Sequence, residues 1–281
     1  MGLGIGLLAI EMGVQWLSTC LRQWHMAGKS LLADRNSRTL FLSLKQDLNA
    51  CGYKGFRHDA HYSIEGPKGV PGAVAVRGIT LSALAAELDA TWHARLLPGS
   101  DVLKISDIPV AYWAVEVHDP KVLQLKSSGS NELGLGHIKK EQRALLADAQ
   151  GAAWLRVAAV DKIQKRVKLA EKINRVYGKE ATFTPVEQVT YFVARSTRDS
   201  KQRYALWRQV QGENPEELLQ GLEAFNVQYN VLESGICCLE KYRSAAQIAD
   251  WSSICHMRVT WKDAEKSKPF SAEIGVGRVV R

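Results

Sequence analysis

Hydrophobic and polar positions change character twice along this chain. Residues 1–21, MGLGIGLLAIEMGVQWLSTCL, are apolar apart from Glu11 and Gln15, a run about as long as a bilayer core is thick. It lacks the basic start and small-residue cleavage site of a secretory signal. Glu11 inside lipid is costly without a partner. From 22 to 52 there is no proline, and Leu40, Phe41, Leu44 and Leu48 recur at the spacing of one helical face. Gly52 follows the last periodic residue as a natural helix stop. The two stretches predict one long helix, apolar all round in its first half and amphipathic in its second: a transmembrane anchor running into a helix that packs on a domain. The competing reading is a buried first helix of a soluble domain.

Beyond Tyr53 the pattern breaks into short runs separated by glycine, proline and serine. Residues 63–72 (SIEGPKGVPG) and 127–136 (SSGSNELGLG) have loop composition. Strands are expected at 74–76, 102–105, 110–117, 122–125, 189–194, 206–210, 224–232 and 257–262, with a short helix over 80–91 and a short capped segment over 215–223. The pair 189–194 and 206–210 reads as a hairpin. The basic run 161–180 fits either an amphipathic helix or a twisted β-hairpin with a basic exposed face. One long helix followed by many strands is an α+β arrangement, the long N-terminal helix lying on an antiparallel β-rich globular domain.

Four segments, in order, resemble the PilW family of type IV pilus minor pilins. RNSRTLFLSLKQDLNACGY (35–53), with Leu44, Asp47, Leu48, Gly52 and Tyr53, is similar to the family's "N-G-R-F-A-x-x-x-L-x-x-D-L-R-x-A-G-Y" at the end of the pilin helix. Gly99-Ser100-Asp101-Val102-Leu103 resembles its "G-S-D-V-L" strand entry, and Leu145-Leu146-Ala147-Asp148 its "v-l-v-s-D" strand, followed by a short crossover. Tyr204-Ala205-Leu206-Trp207-Arg208, then Glu217 to Glu223 and Val227-Gln228-Tyr229, resemble "a-L-y-R … e-L-v-e-G-V-e … v-x-Y". The family opens on a basic leader, a glycine and "F-T-L-I-E", which this chain lacks. Two readings of the start stand. In one, Gly6 is the prepilin cleavage glycine, Leu7 the first mature residue and Glu11 the fifth. In the other, which the ungapped spacing from Ile5 to Gly52 favours, the true start lies upstream of Met1.

The resemblance implies three parts: a transmembrane and filament-core half-helix (1–21), an amphipathic half (22–52) and a β-rich periplasmic pilin domain (53–281). It implies a non-catalytic subunit, held in the inner membrane before assembly and then in the extracellular pilus, that helps initiate assembly in a tip or priming complex. Its partners would be other minor pilins, the major pilin and the inner-membrane assembly platform, with adhesion, twitching motility and DNA uptake depending on it. A type II secretion pseudopilin of the GspJ kind shares the plan.

Composition adds little to the class: 46% hydrophobic and 23% charged residues suit a folded chain of 281 residues. The formal charge of +8 reads either as a solvated basic surface or as contact with a polyanion such as DNA. The place to look is Lys162, Lys165, Arg166, Lys168, Lys172 and Arg175. Five cysteines leave at least one unpaired in an oxidising compartment; Cys237, Cys238 and Cys255 are the candidates for one bridge, to Cys255, and Cys20 and Cys51 fall in the helical segment.

Catalytic and cofactor signatures are weak. The glycines at 2, 4 and 6 follow no strand and precede no P-loop lysine. His58 and His61 share a glycine-rich loop without a helix to set ligand geometry, and no Gly-x-Ser-x-Gly elbow occurs. Glu216 and Glu217 read as helix N-terminal charges. Trp16 and Trp24 flank the end of the apolar run as interfacial aromatics do. Neither a cofactor nor a metal is expected.

Overall fold

The structure is a computed structural model that describes residues 16, 37–51, 63–65, 76–126, 135–198, 203–233, 236–237, 241–263 and 269–276. The chain divides into two compact units, residues 1–44 and 45–281. Residues 37–50 are helical (α1) and Cys51 follows in a turn. Ser37, Leu40, Leu44, Asp47 and Leu48 are buried, the i, i+3, i+7, i+10, i+11 stripe of an amphipathic helix. Leu42, on the other face, is exposed. In the first unit Trp16 is also helical and exposed.

The expected architecture needs correcting. The described residues are mostly antiparallel β-sheet with short helices, not a long pilin helix packed on a β domain. No helix among them is long and apolar enough to cross a membrane. The physical reason lies in α1 itself, whose apolar stripe is interleaved with Arg38, Lys45 and Asp47. The transmembrane helix, and with it the inner-membrane location of a periplasmic domain, therefore has no helix to rest on among the described residues. The apolar run 1–21 lies outside the described residues apart from Trp16.

The second unit is built on a connected sheet. Its strands are β1 (Ser63–Glu65), β2 (Val76–Ile79), β3 (Val102–Pro109), β4 (Trp113–Asp119), β5 (Val122–Leu125), β6 (Arg143–Asp148) and β7 (Gly151–Asp161). There follow β8 (Arg166–Leu169), β9 (Thr182–Arg195), β10 (Tyr204–Val210), β11 (Glu216–Glu233), β12 (Ile236–Cys237), β13 (Ile254–Asp263) and β14 (Phe270–Gly275). The main path runs β1-β7-β8-β5-β4-β9-β10-β11-β13-β14, with β6 joining β7 to β9 and β2-β3 entering on β9. All pairings are antiparallel except β1 on β7.

The 14 residues of β9 make it the hub. Its first half pairs with β4 and β6 and its second with β3 and β10. Ten of its side chains are buried, because both faces are covered. Around the first half, Trp113, Val115, Leu123, Leu146, Leu155 and Phe183 belong to one core cluster. On the second half, Phe192 and Ala194 point with Ala205 and Trp207 of β10 toward Leu84 and Leu88, in and just after α2 (Leu81–Glu87), and Trp92 of α3 (Ala90–His93). Thr80 caps α2, its hydroxyl accepting from the Ala83 N–H at 3.2 Å. Trp92 meets Phe192 and Trp207 edge-on at 5.8 and 4.7 Å. The opposite face of β9 and β10 carries Tyr191 and Arg208, directly cross-paired.

Several local expectations also change. Of residues 215–223, read as a capped segment, all from Glu216 on are the start of strand β11. Ser63–Glu65, read as loop, form β1, and residues 66–72 lie outside the described residues. The strand ending at Asp148 turns straight back into β7, as a hairpin rather than a crossover. Of the two readings of 161–180, the β-hairpin holds for the first part alone: β8 pairs back on β7, with Val167 and Leu169 alternating with exposed Arg166 and Lys168, while 170–180 are neither strand nor helix.

Candidate functional site

Within the second unit, the last turns of α1 are tied to the sheet by one carboxylate. Asp47 is 7% exposed. Its Oδ2 accepts from the Tyr191 hydroxyl at 2.6 Å and from Arg208 Nε at 3.1 Å, and its Oδ1 lies 3.4 Å from Arg208 Nη2. Burial would lower the pKa of Arg208, but the Asp47 carboxylate and Tyr191 outweigh it and hold the pKa above the ordinary value. Leu48, fully buried, supplies the apolar part of the same contact surface.

The other segments carrying the pilin resemblance also place their polar residues in structural roles. The Asp101 carboxylate accepts from the Val227 N–H at 2.7 Å, and its own N–H donates to Phe225 O at 2.9 Å, joining the entry of β3 to β11. Asp148 accepts from the N–H groups of Gln150, Gly151 and Gly178 and from Arg175, whose guanidinium also lies 4.4 Å from the Tyr177 ring centroid. Burial alone would raise the Asp148 carboxyl, yet these donors hold it below the usual carboxylate value. Gly221 has φ +81° at a register shift where β10 residues 204 and 205 face 222 and 220, a bulge that glycine accommodates without Cβ strain. Glu217 accepts from Ser196 Oγ at 2.9 Å and Gln220 Nε2 at 2.6 Å, a buried position in a strand rather than a helix N-terminus.

Of the predicted basic surface, the hairpin β7–β8 holds the largest part. Lys162 and Lys165 sit in its exposed turn, beside Ile163 at 95% exposure, and Lys165 has φ +52°. The Asp161 carboxylate fixes the turn by accepting from the N–H groups of Ile163 and Gln164, both at 3.0 Å. Arg166 donates to Gln124 Oε1 and Gln164 Oε1, each at 2.9 Å, so its guanidinium is oriented by neutral partners. Lys168 and Lys172 are exposed. Arg175 does not join them, because Asp148 takes its charge.

A cleft of about 400 Å³ lined largely by charged and polar residues, which the sequence reading missed, opens between β3, the segment entering β6, and β9. Asp107 lines it at φ +59°, on the bulge where β3 slips against β9 between Ile105 and Ile108. The residue is 3% exposed, and burial pushes its carboxyl up to about 6 against the pull of Arg143. Arg143 Nη1 lies 3.2 Å from Asp107 Oδ1, while its Nη2 is buried without a hydrogen-bond partner. The same guanidinium lies 4.7 Å from the Trp154 ring centroid. Glu141, also at the cleft, has φ +63°. Left-handed backbone at two non-glycine residues in one cleft is the kind of strain that marks functional positions. The only trace in the sequence is an aspartate inside an apolar strand, Ile105-Ser106-Asp107-Ile108.

The remaining candidates are placed as follows. Gly6, Leu7 and Glu11 lie outside the described residues, as do Trp24, His58, His61, Cys20 and Cys238. Cys255, on β13, is disulfide-bonded, and Cys237 is on β12, which pairs with β11. Cys51 is buried and its thiol donates to Leu48 O at 3.0 Å. Among the described residues no cluster of histidine, cysteine and carboxylate side chains is placed to hold a metal ion. No protein-family model, curated protein or solved structure matches this chain.

Proposed function

We propose that this chain is a structural, non-catalytic subunit of a type IV pilus, of the minor-pilin kind, that helps initiate assembly alongside other minor pilins and the major pilin. The observation that supports this reading is the Asp47–Tyr191–Arg208 contact. It joins the aspartate of the segment that resembles the end of a pilin helix to the arginine of the segment that resembles the family's "a-L-y-R". Two further segments of the resemblance, at Asp101 and Asp148, hold β-strand ends in place, so the likeness falls on residues that build the fold. A subunit of this kind works by presenting surfaces to neighbours. The experiment is deletion of the gene in its host, with surface pili counted by electron microscopy and minor pilins recovered by affinity purification of the tagged chain. Loss of pili, restored by the intact gene, with minor pilins recovered, is expected. Unchanged piliation together with no pilin recovered refutes the reading.

A second reading has its own observation. Arg166, oriented by two glutamine amides and flanked by exposed Lys162, Lys165 and Lys168, suits contact with phosphate groups and makes the subunit a DNA-binding one. Fluorescence anisotropy with labelled duplex between 50 and 200 mM salt tests it. A log–log slope of about −3 to −4 is expected if these four charges engage phosphates, and charge reversal at Lys162 and Lys165 should flatten it. Affinity indifferent to salt refutes it.

A further inference from the structure

The cleft at Asp107 and Arg143 is outside both readings, and its features converge on a ligand. A bulge and a left-handed aspartate aim a buried carboxylate at an arginine that uses one of its two terminal nitrogens on that carboxylate. The second nitrogen is buried without a partner, an arrangement that native interiors rarely leave standing. Arg143 is 32% exposed along its side chain although this nitrogen itself is buried, so a group entering the cleft meets the guanidinium by taking the place of the Asp107 carboxylate. An arginine fork accepts a planar carboxylate through two parallel hydrogen bonds, and Asp107 fills only part of that capacity.

The charged groups that line the cleft are Asp107 from β3, Lys139, Lys140, Glu141 and Arg143 from the run into β6, and Glu187 from β9. Lys139 is paired with Glu213 at 2.5 Å. The side beyond β10 contributes the uncharged Gln211 and Gly212. We propose that this cleft binds a carboxylate group on Arg143, in competition with the chain's own Asp107, so that protonation of Asp107 opens the site.

The sign of the pH response follows. With the Asp107 carboxyl raised to about 6, at pH 5 it is mostly neutral and Arg143 is free to take the ligand. At pH 7.5 it is ionised and holds Arg143 itself. A ligand that binds only the protonated form therefore weakens by about thirtyfold across that interval, following the protonated fraction. A peptide C-terminus, with an ordinary pKa of about 3.5, stays ionised at both values and does not blur the result.

The test is isothermal titration calorimetry of the full chain at pH 5.0 and 7.5. The probes are acetyl-trialanine with a free carboxylate, its C-terminal amide and acetate. Binding of the free-acid peptide at pH 5.0, at least tenfold weaker at pH 7.5, is expected, with no binding of the amide. Acetate binding as tightly as the peptide assigns the site to free small carboxylates; the peptide binding tenfold tighter assigns it to a polypeptide end. Asp107→Asn, which keeps the side-chain shape and cannot ionise, should bind equally at both pH values, and Arg143→Gln should not bind. The proposal is overturned by absence of binding at pH 5.0, by an amide that binds as well as the acid, or by an Asp107→Asn variant that keeps the pH dependence.

Discussion

Asp107→Asn should make the protein more stable at neutral pH, although it removes a partner of an arginine. The carboxyl is raised from 3.8 to about 6, so the folded state holds this proton more tightly than the unfolded chain does. In linkage terms the unfolded state binds fewer protons between those values, and wild-type stability falls as pH rises through them. The contribution is fully present below about 4, is lost by the time pH has passed 6, and is flat above. A shift of roughly two units at 1.36 kcal/mol each makes the loss about 3 kcal/mol. With only 3% of the residue exposed, little of this is relieved by solvent. Asparagine stands in for the neutral acid at every pH. The stability difference, variant minus wild type, should therefore be small at pH 4 and grow by about 3 kcal/mol by pH 7.5. The assay is urea unfolding followed by circular dichroism at pH 4, 5, 6, 7 and 8, with the slope checked to be common to both proteins. A difference that stays constant with pH, or that grows toward acid, would refute the burial argument and leave Asp107 as an ordinary ion-pair partner.

Other perturbations have equally definite outcomes. Asp47→Ala leaves the Tyr191 hydroxyl and the half-buried Arg208 without their acceptor and should cost about 2–4 kcal/mol in chemical denaturation, with Tyr191→Phe costing about 1 kcal/mol. Gly78→Ala places a Cβ 2.7 Å from Ala245 Cβ and 2.8 Å from the Tyr229 hydroxyl; this overpacking should cost about 1–3 kcal/mol and lower the melting temperature. Asp148→Ala strands Arg175 and three N–H groups and should cost about 3 kcal/mol at pH 7. Because the Asp148 carboxyl is held below its unfolded value, that contribution is present above about pH 4 and disappears as pH falls further, so the two proteins' stabilities should converge in acid.

Much of the sheet is legible in the sequence. The strand 122–125 was placed to the residue, and 189–194 with 206–210 as a hairpin, because Val, Tyr and Phe alternate between faces there. The stripe Leu40, Leu44 and Leu48 on α1 was equally plain. The strand at 216–223 was missed: Pro215 and paired glutamates mimic a helix start, and only Ser196, Thr197 and Gln220 converging on Glu217 explain a buried carboxylate in that strand. The basic run 161–180 carried two periodicities at once. Its β-outcome was decided by β5, whose Leu123 pairs with Val167 and gives the hairpin a core to cover.

What the sequence determined by itself was local: which stretches alternate, which repeat at helical spacing, where glycine and proline interrupt, and where positive charge gathers. Those properties depend on neighbours a few residues apart. What only the tertiary structure decided depends on separation collapsing to contact. Asp47 meets a tyrosine 144 residues away and an arginine 161 residues away. Arg175 leaves the basic surface because it is paired with Asp148, 27 residues distant, while Arg166 remains part of it, hydrogen-bonded to glutamine amides. Asp107 acquires its raised pKa from burial on a bulge that no short window of sequence announces. Charge and reactivity are set by desolvation and by partners, and the fold supplies both.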